Sequence, residues 1–164
     1  MSGTARTLIA GIGSDFGDDR LGFDVVEHLA GSLPNCVLKA FRSPLDLLDN
    51  LSDFEVLHLV DACRGFDLPG TVLRFDWPSP TLKSVRFGGT HDFDLVSTLR
   101  LAESLGLLPR TVKIWSIAAG ESNTDSRSNR DPCPAEPALT ERLIELLKSE
   151  VQSAYAAEAE VNRA

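Results

Sequence analysis

Residues 7–29 read TLIAGIGSDFGDDRLGFDVVEHL. The opening TLIAGI (7–12) is apolar without polar alternation, the pattern of a strand buried on both faces. Gly11 and Gly13 then mark a turn into a run of acids. Asp18 or Asp19 can cap a helix, in which Leu21, Val25, Leu29 and Leu33 recur at every fourth position as one core-facing stripe. Gly31 and Pro34 end it. A buried strand that turns directly into an amphipathic helix is the first half of a parallel βαβ unit.

The same alternation continues outward. CVLKAF (36–41) is a second strand candidate, and SPLDLLDNL (43–51) carries a Ser cap, Pro at the first helical position and a Leu stripe. EVLHLVDA (55–62) is the strongest strand pattern of the chain, and PGTVLRFDW (69–77) enters a further strand through a Pro-Gly turn. From Asp92 to Gly106, Leu95, Leu99 and Ala102 give helical spacing, closed by Gly106 and Pro109. TVKIWSIAA (111–119) reads as the last strand, and in EPALTERLIELLKSEV (136–151) Leu139, Leu143, Leu146 and Leu147 share a helix face. Between them, residues 120–137 form a polar loop without periodicity, either a docking surface or simply mobile. The expectation is an α/β fold: one domain over 1–164, a three-layer α/β/α sandwich around a mostly parallel twisted sheet of about five strands. The strand from 70 to 75 is its candidate antiparallel edge.

Composition bounds the function. A chain of 164 residues with 43% apolar residues and mean hydropathy −0.04 is an ordinary globule, with no apolar run long enough to span a bilayer. The net charge of −8 argues against nucleic acid, which needs a Lys/Arg footprint, and suits a basic protein partner. Cys36, Cys63 and Cys133 form no C-x-x-C pair, so neither a disulfide framework nor a zinc ribbon is supported. MSGTAR leads straight into LIAGIG without the features of a secretory signal, which predicts a cytoplasmic address.

Three distant residues carry the candidate chemistry: Asp19 beyond the first turn, Asp61 ending VLHLVD, and His91 in GGTHDF. Each lies where a strand gives way to a loop or helix, and ligands of open α/β sheets bind at the carboxyl ends of strands. A dinucleotide reading of the GIG turn fails, because Phe16 occupies the third glycine position and Asp18 and Asp19 would oppose a phosphate. A phospho-acceptor pocket would need a Lys ending the last strand, where this chain has SIAAG. Two carboxylates and an imidazole suit a borderline divalent ion such as nickel or zinc, with positions left open for substrate or water. A helix starting at Asp92 would keep the His91 ring neutral, as a ligand must be. Taken singly, the acids are equally good helix caps or turn residues. His28 and His58 read as packing residues, and Cys63 has no identifiable general base beside it. Phe66, Phe75, Trp77 and Trp115 could belong to core or cleft rim.

Three blocks together resemble one family: GIGSDFGDDRLGFDVVEHL, VDACRGFDLPGTVLRF and THDFDLVSTLRLAESLGLLPRTVKIWSIA. In order, spacing and element type they are similar to the endopeptidases that mature the large subunit of nickel-iron hydrogenases. The resemblance implies that Asp19, Asp61 and His91 are the metal-contacting and catalytic residues, their individual roles unassigned. It implies an activity that removes a C-terminal peptide from the nickel-loaded large-subunit precursor, with nickel supplied by that precursor as the recognition signal. The chain departs from the family pattern in a shorter turn between Gly13 and Asp18, in Ser14 for Asn, in Arg20 for Gly, and in Asp92 after His91. Arg20 beside Asp19 could form an ion pair with it. The shortened turn and Arg20 motivate one alternative, a non-catalytic metal- or protein-binding relative on the same fold; a phosphate- or nucleotide-binding module at the GIG turn is a third reading, ranked below it.

Overall fold

The computed structural model of the chain describes residues 6–15, 20–64, 70–83, 86–87, 94–118 and 137–163. In chain order it forms β1 (Thr7–Ile12), α1 (Leu21–Leu29), β2 (Cys36–Phe41), β3 (Val56–Val60), β4 (Cys63–Arg64), β5 (Val72–Asp76), β6 (Arg86–Phe87), α2 (Leu95–Ser104), β7 (Thr111–Ile117) and α3 (Pro137–Val161). Five of the strands make one sheet in the order β2-β1-β3-β7-β5. The first four run parallel, in a register that aligns Thr7 with both Cys36 and Val56, and Val56 with Thr111. β5 lies antiparallel against β7 as an edge, as the Pro-Gly entry suggested. The carboxyl ends of the parallel strands therefore share one rim of the sheet.

Side-chain alternation sorts the two faces. Leu8, Ala10 and Ile12 of β1, Leu57 and Leu59 of β3, and Val112 and Ile114 of β7 pack under Leu95, Leu99 and Ala102 of α2 and under Leu47 and Leu51. Ile9, Val60, Trp115 and Ile117 form the opposite face, covered by Leu21, Val25 and Leu29 of α1 and by Leu143, Ile144, Leu147 and Val151 of α3. The result is the three-layer sandwich that the sequence predicts. Phe75 and Trp115 belong to the buried core, Trp77 is half-buried, and Phe66 lies outside the described residues.

Some elements differ from expectation. Residues Pro44–Asn50 form a 3₁₀ helix, with Ser43 accepting a hydrogen bond from the Leu45 N–H at 3.3 Å. α3 runs for 25 residues, well past Val151, and its inner face is Thr140, Leu143, Ile144, Leu147 and Val151. Leu146, assigned to that face by spacing, is exposed. The polar loop lies outside the described residues except for Pro137. Among the described residues no helix is long and apolar enough to cross a membrane.

Candidate active site at the carboxyl rim of the sheet

Asp61 is the first residue beyond β3, and the ladder with β7 does not let it go. Its N–H donates to the Trp115 carbonyl at 3.2 Å, and its own carbonyl accepts from Ser116 Oγ at 2.5 Å. The residue is only 1% exposed. An acid buried at the end of an apolar strand is costly unless partnered. Two residues on, Cys63 packs in the core, its Sγ 3.9 Å from the Ile117 carbonyl. Burial pushes the Cys63 thiol up, a hydrogen bond with Ser116 works the other way, and the charge of Asp61 adds to the rise. A thiol held protonated is a poor nucleophile, which agrees with setting it aside.

The chain on either side of the other two predicted site residues converges on the same place. α1 enters against the strand ends through a glycine contact: a Cβ on Gly22 would lie 2.4 Å from the Ile12 carbonyl oxygen and 2.8 Å from that of Val60, the residue before Asp61. The matching position on β1 is Gly11, where a Cβ would lie 2.0 Å from the Gly22 carbonyl oxygen. Gly11, expected in the turn, is thus a strand residue whose missing side chain admits the helix. Gly13 extends the sheet, donating its N–H to the Phe41 carbonyl at 3.0 Å. On the other side, β4 pairs antiparallel with β6, setting Phe87 opposite Cys63. Asp19 and His91 themselves, with Asp18 and Asp92, lie outside the described residues. Only Asp61 of the predicted triad is described, and among the described residues no three His, Cys, Asp or Glu side chains gather to hold a metal.

The flanks of Asp19 and His91 are described on their helix sides. Arg20, the N-cap residue of α1, makes no capping hydrogen bond with its side chain; its Nε donates to Asp24 Oδ1 at 2.7 Å and its guanidinium reaches Glu27 at 3.4 Å. The guanidinium thus lies along α1; its expected pairing with Asp19 falls outside the described residues. α2 begins at Leu95, where Asp94 accepts from the Ser97 N–H at 2.6 Å, so the helix starts three residues later than the spacing from Asp92 suggested. His91, whose neutrality was argued from a helix start at Asp92, itself lies outside the described residues. On the rim, Asp15 pairs with Arg42 at 2.5 Å, and Arg42 lies 5.9 Å over the Phe23 ring. His28, expected to pack, is exposed and donates from Nδ1 to the Asp24 carbonyl at 2.7 Å.

Ser116 and Gly22 were not singled out from the sequence. The signal for Ser116 was a lone hydroxyl in the apolar run IWSI, and for Gly22 a glycine in the first turn of a helix, where it weakens propensity without ending anything.

No family model matches the chain, and no curated protein matches it in sequence. The fold is nevertheless one that solved structures share. It is the fold of the hydrogenase maturation endopeptidases, the class that the three sequence blocks resemble. The chain is similar to the hydrogenase maturating endopeptidase HybD from E. coli, with a TM-score of 0.64 and 20% identity over 93% of each chain. It is similar also to the NiFe hydrogenase maturation protease HybD from Thermococcus kodakarensis, with a TM-score of 0.63 and 20% identity over 88% of this chain and 97% of that one. The hydrogenase maturation protease HycI from the same organism gives a TM-score of 0.58 and 20% identity over 94% and 95%.

Proposed function

We propose that this chain is a cytoplasmic endopeptidase that removes a C-terminal peptide from the nickel-loaded large-subunit precursor of a nickel-iron hydrogenase. The observation that carries the reading is Asp61, buried at the carboxyl rim of a sheet whose fold is shared along nearly the whole chain with hydrogenase maturation endopeptidases. The described chain beside Asp19 and His91 comes to the same rim through Gly22 and Phe87. Carboxylate and imidazole donors suit nickel, and nickel here is part of the substrate that the site recognises. Asp19, Asp61 and His91 contact it, and a carboxylate among them is suited to take a proton from the attacking water.

The test incubates the protein with nickel-loaded large-subunit precursor and follows precursor mass, beside Asp61→Asn and His91→Ala. Wild type should release a C-terminal peptide, and each variant should lose about 100-fold or more in rate. No mass change with a precursor that an established maturation endopeptidase does cleave would sink the peptidase reading and favour a non-catalytic relative.

A further inference from the structure

We infer that Ser116 is the positioning residue for Asp61, an inference that rests on the proposed peptidase reading. The regular ladder between β3 and β7 ends at the pair Val60 and Trp115. Past that point Asp61 is held by two further bonds to consecutive residues of β7: its N–H to the Trp115 carbonyl, and its carbonyl to the Ser116 hydroxyl. One bond fixes the peptide plane before the Asp61 Cα and the other the plane after it. With both planes fixed, φ and ψ at Asp61 are set, and so is the direction of its Cα–Cβ bond. Only the second bond comes from a side chain, and so only it can be removed by substitution.

The cost of this device is visible in the fold. Ser116 is completely buried in a strand whose neighbours are Ile114, Trp115 and Ile117. A hydroxyl in such a layer is unfavourable unless it is hydrogen-bonded, and an apolar residue would suit the packing better. Besides its contact with the Cys63 thiol, its hydroxyl donates to the carbonyl of Asp61, which among the described residues is the buried acid at the rim. Catalytic groups need placement to within a fraction of an ångström, and a misplacement of about 1 Å can cost roughly 100-fold in rate. Ser116 is thus expected to act through Asp61, on the chemical step and on the nickel contact that Asp61 makes.

The experiment compares Ser116→Ala, Ser116→Thr and Ser116→Val, of which the last two have the same shape and differ by the hydroxyl. Single-turnover cleavage of nickel-loaded precursor, precursor affinity and hydrogen exchange of the Asp61 amide are read for each variant, at a temperature where circular dichroism shows it folded. The expected result is a cleavage rate about tenfold lower in the Ala and Val variants, with precursor affinity weakened no more than by Asp61→Asn and the Asp61 amide exchanging faster, and with Thr restoring most of both losses. Equal rates in the Thr and Val variants, or wild-type cleavage by a folded Ala variant, would overturn the positioning role while leaving the peptidase reading intact. Wild type that fails to cleave would overturn that reading and this inference with it.

Discussion

His58 lies inside β3 on the face toward α3, 3% exposed, with the Trp115 indole Nε1–H donating to its Nδ1 at 3.1 Å. An imidazole that accepts at Nδ1 must be neutral, with its proton on Nε2. Burial lowers its pKa from 6.5 to about 4; Glu150 opposes the shift, and Lys113 and Arg74 add to it. The folded pKa lies below the unfolded one, so the unfolded chain takes up the proton first, and stability falls as pH drops through the interval between them. Between about pH 7.5 and about pH 5 the loss should be about 2 kcal/mol in urea unfolding, a window above the titration of most carboxylates. His58→Gln, which keeps an acceptor for the indole but does not titrate there, should flatten that slope; an unchanged slope would remove His58 as its source. At this scale the sequence was legible where environment follows from pattern. His58 within an apolar strand read as a packing residue, and Asp61 as the acid at the end of that strand. Ser116 was not legible, because its partner is a backbone carbonyl 55 residues away, which no local pattern encodes.

At the scale of elements, the contact between β1 and α1 sets the geometry of the rim. A methyl group on Gly11 would strike the Gly22 backbone, and one on Gly22 would strike the backbone of Ile12, the next residue of β1. An alanine at Gly22 would meet backbone atoms of Ile12 and Val60, which cannot swing aside as a side-chain tip can. Gly22→Ala gains helix propensity yet should destabilise by about 3 kcal/mol, and by lifting the start of α1 it should also slow cleavage. A denaturation midpoint at or above that of wild type would show that the helix does not seat through this contact. Helix ends were only partly readable. Gly106, with φ +69°, closes α2 as its sequence promised, with the Leu107 N–H donating to the Ala102 carbonyl and the Gly106 N–H to that of Glu103. The start of the same helix was misplaced because Asp92 and Asp94 are equally good caps in sequence. The two-residue strands β4 and β6 carry too little pattern to be seen, although they bring Phe87 to Cys63.

For the molecule as a whole, alternating apolar strands and amphipathic helices made the layered sheet legible, and the strand from 70 to 75 was read as its candidate antiparallel edge. What periodicity could not say is how far α3 belongs to the body. Its last fully seated apolar residue is Val151, against the sheet face it shares with Trp115 and Ile117. One turn further, the Tyr155 hydroxyl donates to the Asn35 carbonyl at 3.0 Å and lies 3.6 Å from Cys36 Sγ, tying the helix to the start of β2. Before both, Glu150 binds Arg74 of β5 and Lys113 of β7, clasping the antiparallel edge to the sheet. Beyond Glu158 the helix is exposed, and Val161 has no apolar surroundings to lose. Ending the chain after Glu158 should therefore leave the urea midpoint and the cleavage rate within error of the full chain. Ending it after Glu150 removes Val151 and Tyr155, and should cost about 3–5 kcal/mol from lost apolar burial and hydrogen bonds. That is a large part of the roughly 5–15 kcal/mol that holds a domain of this kind together. Equal midpoints for the two truncations would mean that the far end of α3 is not part of the packed body.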